Sequence, residues 1–137
     1  SLVAQSEAIA KGHDQVVFLD AAEHRWVEEL GGMNVFFVFE DGSLVTPPLG
    51  TILPGITRDL ILELAAHHAI PYREAGIRTE DLINADEIWL TSSTKEILPV
   101  TTLDGKPVAD GRPGALYRRM SALYRAYKDQ VRVGAAE

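Results

Sequence analysis

The 137 residues contain no cysteine, and this removes disulfide frameworks, thiolate metal sites and thiol nucleophiles together. Long apolar runs are also lacking. The longest, residues 35–39, is the length of a strand and far short of a membrane span. Positive charge is scarce, with 13 basic against 20 acidic side chains and a net charge of −7. That balance argues against phosphate-backbone binding, whose affinity comes from Lys and Arg neutralising phosphates, so nucleic acid is not an expected partner. Residues 1–12 include Gln5, Glu7 and Lys11 and do not form a signal-peptide core. The expectation is one soluble, cytoplasmic domain over residues 1–137, since 46% apolar residues suffice for one core.

What is present reads as a mixed α/β domain. The Ala-rich stretch 1–11 predicts a short helix closed by Gly12. Residues 16–19 (VVFL) predict a buried strand, and 26–29 are expected to pair back on it. Residues 35–39 predict a strand ending at Asp41-Gly42, a hairpin signal, with 44–46 as the return strand. Pro47-Pro48 stops that strand, and a loop through Gly50, Pro54 and Gly55 leads to a helix starting near Thr57. Leu60, Ile61, Leu64, Ala65 and His68 form its apolar face, with Asp59 in the first turn.

Further strands are expected near 72–75, at 87–90 and over 97–103, the last closed by an Asp104-Gly105 turn. Between the first two, a short helix at 79–83 takes Thr79 as its N-cap. Residues 113–130 predict a terminal helix burying Leu116, Met120, Leu123, Tyr124 and Tyr127, with Arg118, Arg119 and Arg125 on its solvated face. About seven strands and four helices result. Hairpin signals dominate, so the expected sheet is mixed, strongly curved and flanked by helices, not doubly wound and parallel.

Several chemistries lack their residues. Adjacent His67 and His68 point about 100° apart on a helix and do not form an i, i+4 metal pair, so no metal site is expected. Neither a Gly-x-Ser-x-Gly elbow nor a Walker loop occurs, and Gly31-Gly32 lacks the third glycine of a dinucleotide fingerprint. Two turns do have the chemistry of anion cradles. Leu53-Pro54-Gly55-Ile56-Thr57 opens a helix whose first N–H groups lack intrahelical partners, although such a start often serves only as a cap. Thr91-Ser92-Ser93-Thr94 places four consecutive hydroxyls at a strand end, as an anion site or as a plain hydroxyl turn. Glu29 lies just ahead of Leu30-Gly31-Gly32, at the edge of an apolar region.

Three segments in order, Glu29-Leu30-Gly31-Gly32-Met33-Asn34-Val35-Phe36-Phe37, Leu44-Val45-Thr46-Pro47-Pro48-Leu49 and Ile52-Leu53-Pro54-Gly55-Ile56-Thr57-Arg58, resemble the class IV, fold-type IV pyridoxal-phosphate aminotransferases. Among these the front part is most similar to the branched-chain enzymes, as is the stretch 1–20. The ending, with Thr91 to Ile97, Asp104-Gly105-Lys106-Pro107-Val108 and Asp110-Gly111-Arg112-Pro113-Gly114, is closer to D-amino acid aminotransferases, so the chain reads as a mosaic. The resemblance implies the C-terminal large-domain portion, with a curved barrel-like sheet and pyridoxal 5′-phosphate as cofactor. Its substrates would be a branched-chain or related amino acid and 2-oxoglutarate.

By motif position, Glu29 is similar to the carboxylate that pairs with the pyridine nitrogen. Ile56 and Thr57 match the phosphate-binding helix start, Ser93 a phosphate-holding hydroxyl, and Thr94 the backbone N–H offered to the substrate carboxylate. The family's Schiff-base lysine lies before the segment that Ser1 opens, and Lys11, Lys95, Lys106 and Lys128 do not match it. The resemblance therefore implies no catalytic residue within these 137 and no efficient transamination by them alone. It also implies apolar surface that a homo-oligomer or a missing N-terminal half would cover. Two other readings stay open: a non-catalytic recombined or truncated module that self-associates, and an aminodeoxychorismate lyase type of enzyme on the same fold.

Overall fold

The computed structural model describes residues 7–11, 16–20, 26–27, 34–48, 55–92, 96–103 and 105–136, with side chains from residue 34 onward except at 79, 80, 135 and 136. Eleven strands, two α-helices and one 3-10 helix occur among them. The central element is a five-stranded mixed sheet. Its order is Tyr72–Glu74 (β6), Leu44–Thr46 (β5), Asn34–Val38 (β4), Glu87–Ser92 (β8), Glu96–Pro99 (β9). Every neighbouring pair is antiparallel except β5 with β6, which are parallel and joined through helix α1, Ile56–His67.

The apolar run at 34–38 has this form because β4 is buried on both faces, which removes the usual polar alternation. Val35 and Phe37 point into one cluster with Val45, Ile77, Leu82, Ile88 and Leu90. Phe36 and Val38 point the other way, onto Ile61, Leu64 and Ala65 of α1 and Met120 and Tyr124 of helix α2, Ala115–Ala136. Phe36 pairs in register with Trp89, their ring centres 5.9 Å apart, and Trp89 meets the Tyr117 ring edge-on at 6.2 Å. Each such fully buried side chain contributes about 2–3 kcal/mol relative to exposure, so these contacts fix both helices on one face of the sheet. The Asp41-Gly42 hairpin forms as expected, with Gly42 at φ +80 where glycine meets no steric cost.

Two smaller sheets complete the description. One has the order Lys106–Pro107 (β11), Thr102–Leu103 (β10), Glu7–Lys11 (β1), Val16–Asp20 (β2), and the other pairs Trp26–Val27 (β3) with Ile77–Arg78 (β7). The described strands form open sheets and not a closed barrel.

Several expectations are corrected. Residues 7–11 are a strand and not the end of a helix: they run antiparallel to β2 from Glu7↔Asp20 to Lys11↔Val16, and β10 pairs on the other side. Helix propensity favours alanine by only tenths of a kcal/mol per residue, and two flanking ladders outweigh it. Residues 1–6 lie outside the described residues. Trp26 and Val27 pair with β7 and not with β2. The expected 97–103 strand is two strands in different sheets, β9 and β10, with Val100 donating its N–H to Ile88 O between them. Thr79 is the first residue of the 3-10 helix Thr79–Asn84, whose N-cap is Arg78. The terminal helix continues to Ala136, and Tyr127 is 40% exposed on it, beyond the reach of the sheet. No helix among the described residues is long and apolar enough to cross a membrane.

Candidate functional site

The candidate site is built on the N-terminus of α1. Gly55 is its N-cap in extended conformation, and no side chain among the described residues caps the helix there. The first helical bond is Asp59 N–H to Gly55 O at 3.0 Å, so the N–H groups of Ile56, Thr57 and Arg58 have no partner within the helix. Three aligned donors at the positive end of a helix dipole form an anion site by construction. Gly55 is needed for a close approach: a Cβ there would lie 2.3 Å from Asn34 Oδ1.

The end of β8 meets the start of α1 at this point. Thr57, 4% exposed, donates its hydroxyl hydrogen to Ser92 O at 3.1 Å, and Tyr124 OH lies 3.5 Å from Thr57 Oγ1. The end of β8, which runs into residues 93 and 94, is thereby fastened to the start of α1. Thr91 and Ser92 are strand residues and not part of a turn, as β8 extends through both. Thr91 pairs with Asn34 across the ladder, is 1% exposed, and its Oγ1 has no hydrogen-bond partner among the described residues. An unsatisfied buried hydroxyl costs about 1–3 kcal/mol and is expected where a polar site awaits occupancy.

Of the site residues expected from sequence, Ile56 and Thr57 stand together at the helix start. Ile56 projects its side chain outward, 85% exposed, while Thr57 turns inward. Glu29, Ser93 and Thr94 lie outside the described residues. Arg58, next in the motif, is not presented to the anion position. Its guanidinium is 1% exposed and donates from Nη2 to Pro47 O at 3.0 Å and to Glu74 Oε2 at 2.7 Å, tying α1 to β6.

Sequence reasoning missed Asn34 and Tyr124, whereas Thr91 was already part of the expected hydroxyl run. Asn34 carried a signal, a polar residue opening an otherwise apolar strand. Tyr124 had none, because at helical spacing it reads only as core. A groove of about 510 Å³ between α1 and α2, lined by Leu60, Leu64, His67, Leu123 and Tyr127, lies along the later turns of α1 and includes none of these site residues.

The donor set fits a phosphate monoester: N–H groups at a helix start with no partner within the helix, an inward hydroxyl, and in β8 a buried hydroxyl with no partner among the described residues. Comparison with known proteins agrees with that chemistry. Residues 1–103 match the family described as Amino-transferase class IV. A branched-chain-amino-acid aminotransferase of Mycolicibacterium smegmatis is 43% identical over 130 residues, covering 85% of this chain and 35% of that protein. A crystal structure of the Escherichia coli branched-chain amino acid aminotransferase superposes with a TM-score of 0.73 at 37% identity, over 80% of this chain and 36% of that one. An aminotransferase from Brucella abortus bound to the cofactor PLP superposes with a TM-score of 0.69 at 32% identity, over 75% of this chain and 36% of that one. The chain thus spans about a third of the length of these relatives. With the motif order, the fold and these likenesses in agreement, the chain belongs to the class IV aminotransferases.

Proposed function

We propose that these residues supply the cofactor-binding part of a pyridoxal-phosphate-dependent transaminase that moves the amino group of a branched-chain amino acid to 2-oxoglutarate. The observation that supports the reading is the Thr57 hydroxyl bonded to Ser92 O, which ties the start of α1 to the end of β8. Bound there, the cofactor supplies the electron sink that lets an amino acid shed its α-proton.

The chain's own part is binding and orientation. The N–H groups of Ile56 and Thr57, the Thr57 hydroxyl and the Ser93 hydroxyl hold the phosphate. Glu29 faces the pyridine nitrogen and keeps a proton on it through charge, and Thr94 offers its N–H to the substrate carboxylate. The bare Ile56 side chain is surface that the cofactor, the rest of a full-length enzyme or a second copy covers. The cysteine-free composition fits a cytoplasmic setting. These 137 residues by themselves do not transaminate efficiently, because no lysine matches the catalytic position. Lys128, on α2, is engaged by Glu96.

The test is intact mass after mixing the chain with pyridoxal phosphate and borohydride, alone and with a lysine-bearing N-terminal half of a branched-chain aminotransferase. The expected result is a label on the added half only, with turnover of L-leucine and 2-oxoglutarate restored and then reduced by Glu29→Gln. A specific label on a lysine of this chain alone, or no label with both halves present, overturns the reading.

A further inference from the structure

We propose that Tyr124 is a positioning residue for the phosphate group at the start of α1, acting through the Thr57 hydroxyl. The inference rests on the cofactor-binding reading above. A threonine hydroxyl has one hydrogen and two lone pairs, and Ser92 O, a carbonyl, only accepts. The Thr57 hydrogen therefore goes to Ser92 O at 3.1 Å, and in the remaining contact Tyr124 is the donor. The order is Tyr124 O–H to Thr57 Oγ1, then Thr57 O–H to Ser92 O.

This order decides what Thr57 can give an anion. A phosphate accepts and does not donate, so the hydrogen it competes for is the one Thr57 gives to Ser92 O. With Tyr124 filling an acceptor position of the threonine oxygen, that hydrogen can swing to the anion while the oxygen stays satisfied and polarised. At 3.5 Å the Tyr124 contact is long for an O–H···O bond, so it adds little in the free chain and gains strength when the threonine donates to an anion. The tyrosine is held for this by its surroundings. It is 7% exposed, packs with Met120, Trp89 and Ile97, and lies under the Lys128 ammonium, 5.8 Å from its ring centre. That ammonium is itself fixed by Glu96, at the start of β9. One strand end, one helix start and one distant helix thus converge on a single oxygen.

Tyr124→Phe removes the hydroxyl and keeps the buried ring, so it isolates the bond from the packing. The experiment is titration of the chain with pyridoxamine phosphate and with unphosphorylated pyridoxamine, followed by calorimetry and by the 31P resonance of the bound phosphate. The expected result is a loss of about three- to tenfold in pyridoxamine phosphate affinity, a shifted 31P resonance and unchanged pyridoxamine affinity, with the thermal midpoint kept. Thr57→Ser retains most of the affinity. Thr57→Val loses it, and adding Tyr124→Phe to Thr57→Val costs nothing more. Unchanged affinity and resonance in Tyr124→Phe, equal losses for both probes, or a full further loss in the Thr57→Val background overturns the role of Tyr124 while leaving the cofactor reading intact. If the unaltered chain binds pyridoxamine phosphate no more tightly than pyridoxamine, the cofactor reading falls and this inference with it.

Discussion

Glu87 caps the helix α2 through Tyr117: its Oε1 accepts the Tyr117 backbone N–H at 2.8 Å, across 30 residues of sequence. Its Oε2 accepts the N–H of Leu116 at 3.0 Å, and Oε1 also takes the indole N–H of Trp89 at 3.0 Å. The carboxylate is therefore a long-range cap, placed at the positive end of α2 where negative charge is favoured. Gly114 leaves the space for it, since a Cβ there would lie 2.1 Å from Glu87 Cδ.

Glu87→Ala leaves three donors without their acceptor in half-buried surroundings and is expected to destabilise the fold by about 2–4 kcal/mol. Glu87→Gln keeps one acceptor oxygen but turns an NH2 group toward N–H donors, so it recovers only part of the loss. Urea denaturation midpoints measure both. A Glu87→Ala chain within about 0.5 kcal/mol of the original would show that the cap does not hold α2.

Gly55→Ala tests the approach between the start of α1 and the sheet. The backbone there is extended, so alanine meets no conformational penalty, and the cost is the contact with Asn34 Oδ1 at 2.3 Å. Displacing a buried amide is expected to cost about 1–3 kcal/mol. The pair is coupled: Asn34→Ala in the Gly55→Ala background should recover part of the loss, which a double-mutant cycle reads directly. Strict additivity of the two changes would contradict the contact.

The Asp41 carboxyl is held below the usual aspartate range, first by the Ser43 hydroxyl at 2.6 Å and the Ser43 N–H at 3.0 Å, and then by Arg73. A carboxyl whose pKa is lowered by folding adds stability that is present above its unfolded pKa and is lost as pH falls through the folded value. The acid limb of the stability curve should therefore flatten in Asp41→Asn. Carboxyl NMR titration should show Asp41 rising toward its ordinary value in Ser43→Ala. An Asp41 that already titrates like an exposed aspartate would exclude this contribution. The group is fully exposed, so the effect is small and shrinks with added salt.

What the sequence by itself determined is the set of elements whose cause is local. The apolar run at 35–39 marked a strand, Asp41-Gly42 its turn, Pro47-Pro48 its stop, and Gly55-Ile56-Thr57 a helix start whose first N–H groups lack partners within the helix. The two anion turns were visible as chemistry for the same reason, because hydroxyls and unpaired N–H groups are properties of a few adjacent residues.

Only the tertiary structure decided what those elements meet. It made a strand of Glu7–Lys11, because two neighbouring strands supply hydrogen-bond ladders that no window of eleven residues contains. It divided 97–103 between two sheets and made Glu87 the cap of a helix that begins 28 residues later. It also brought both Tyr124 and Ser92 to the Thr57 hydroxyl oxygen. Local propensity is worth tenths of a kcal/mol per residue, whereas a ladder, a cap or a buried hydroxyl pair is worth one or more, and the partner of each is set by packing across the whole chain.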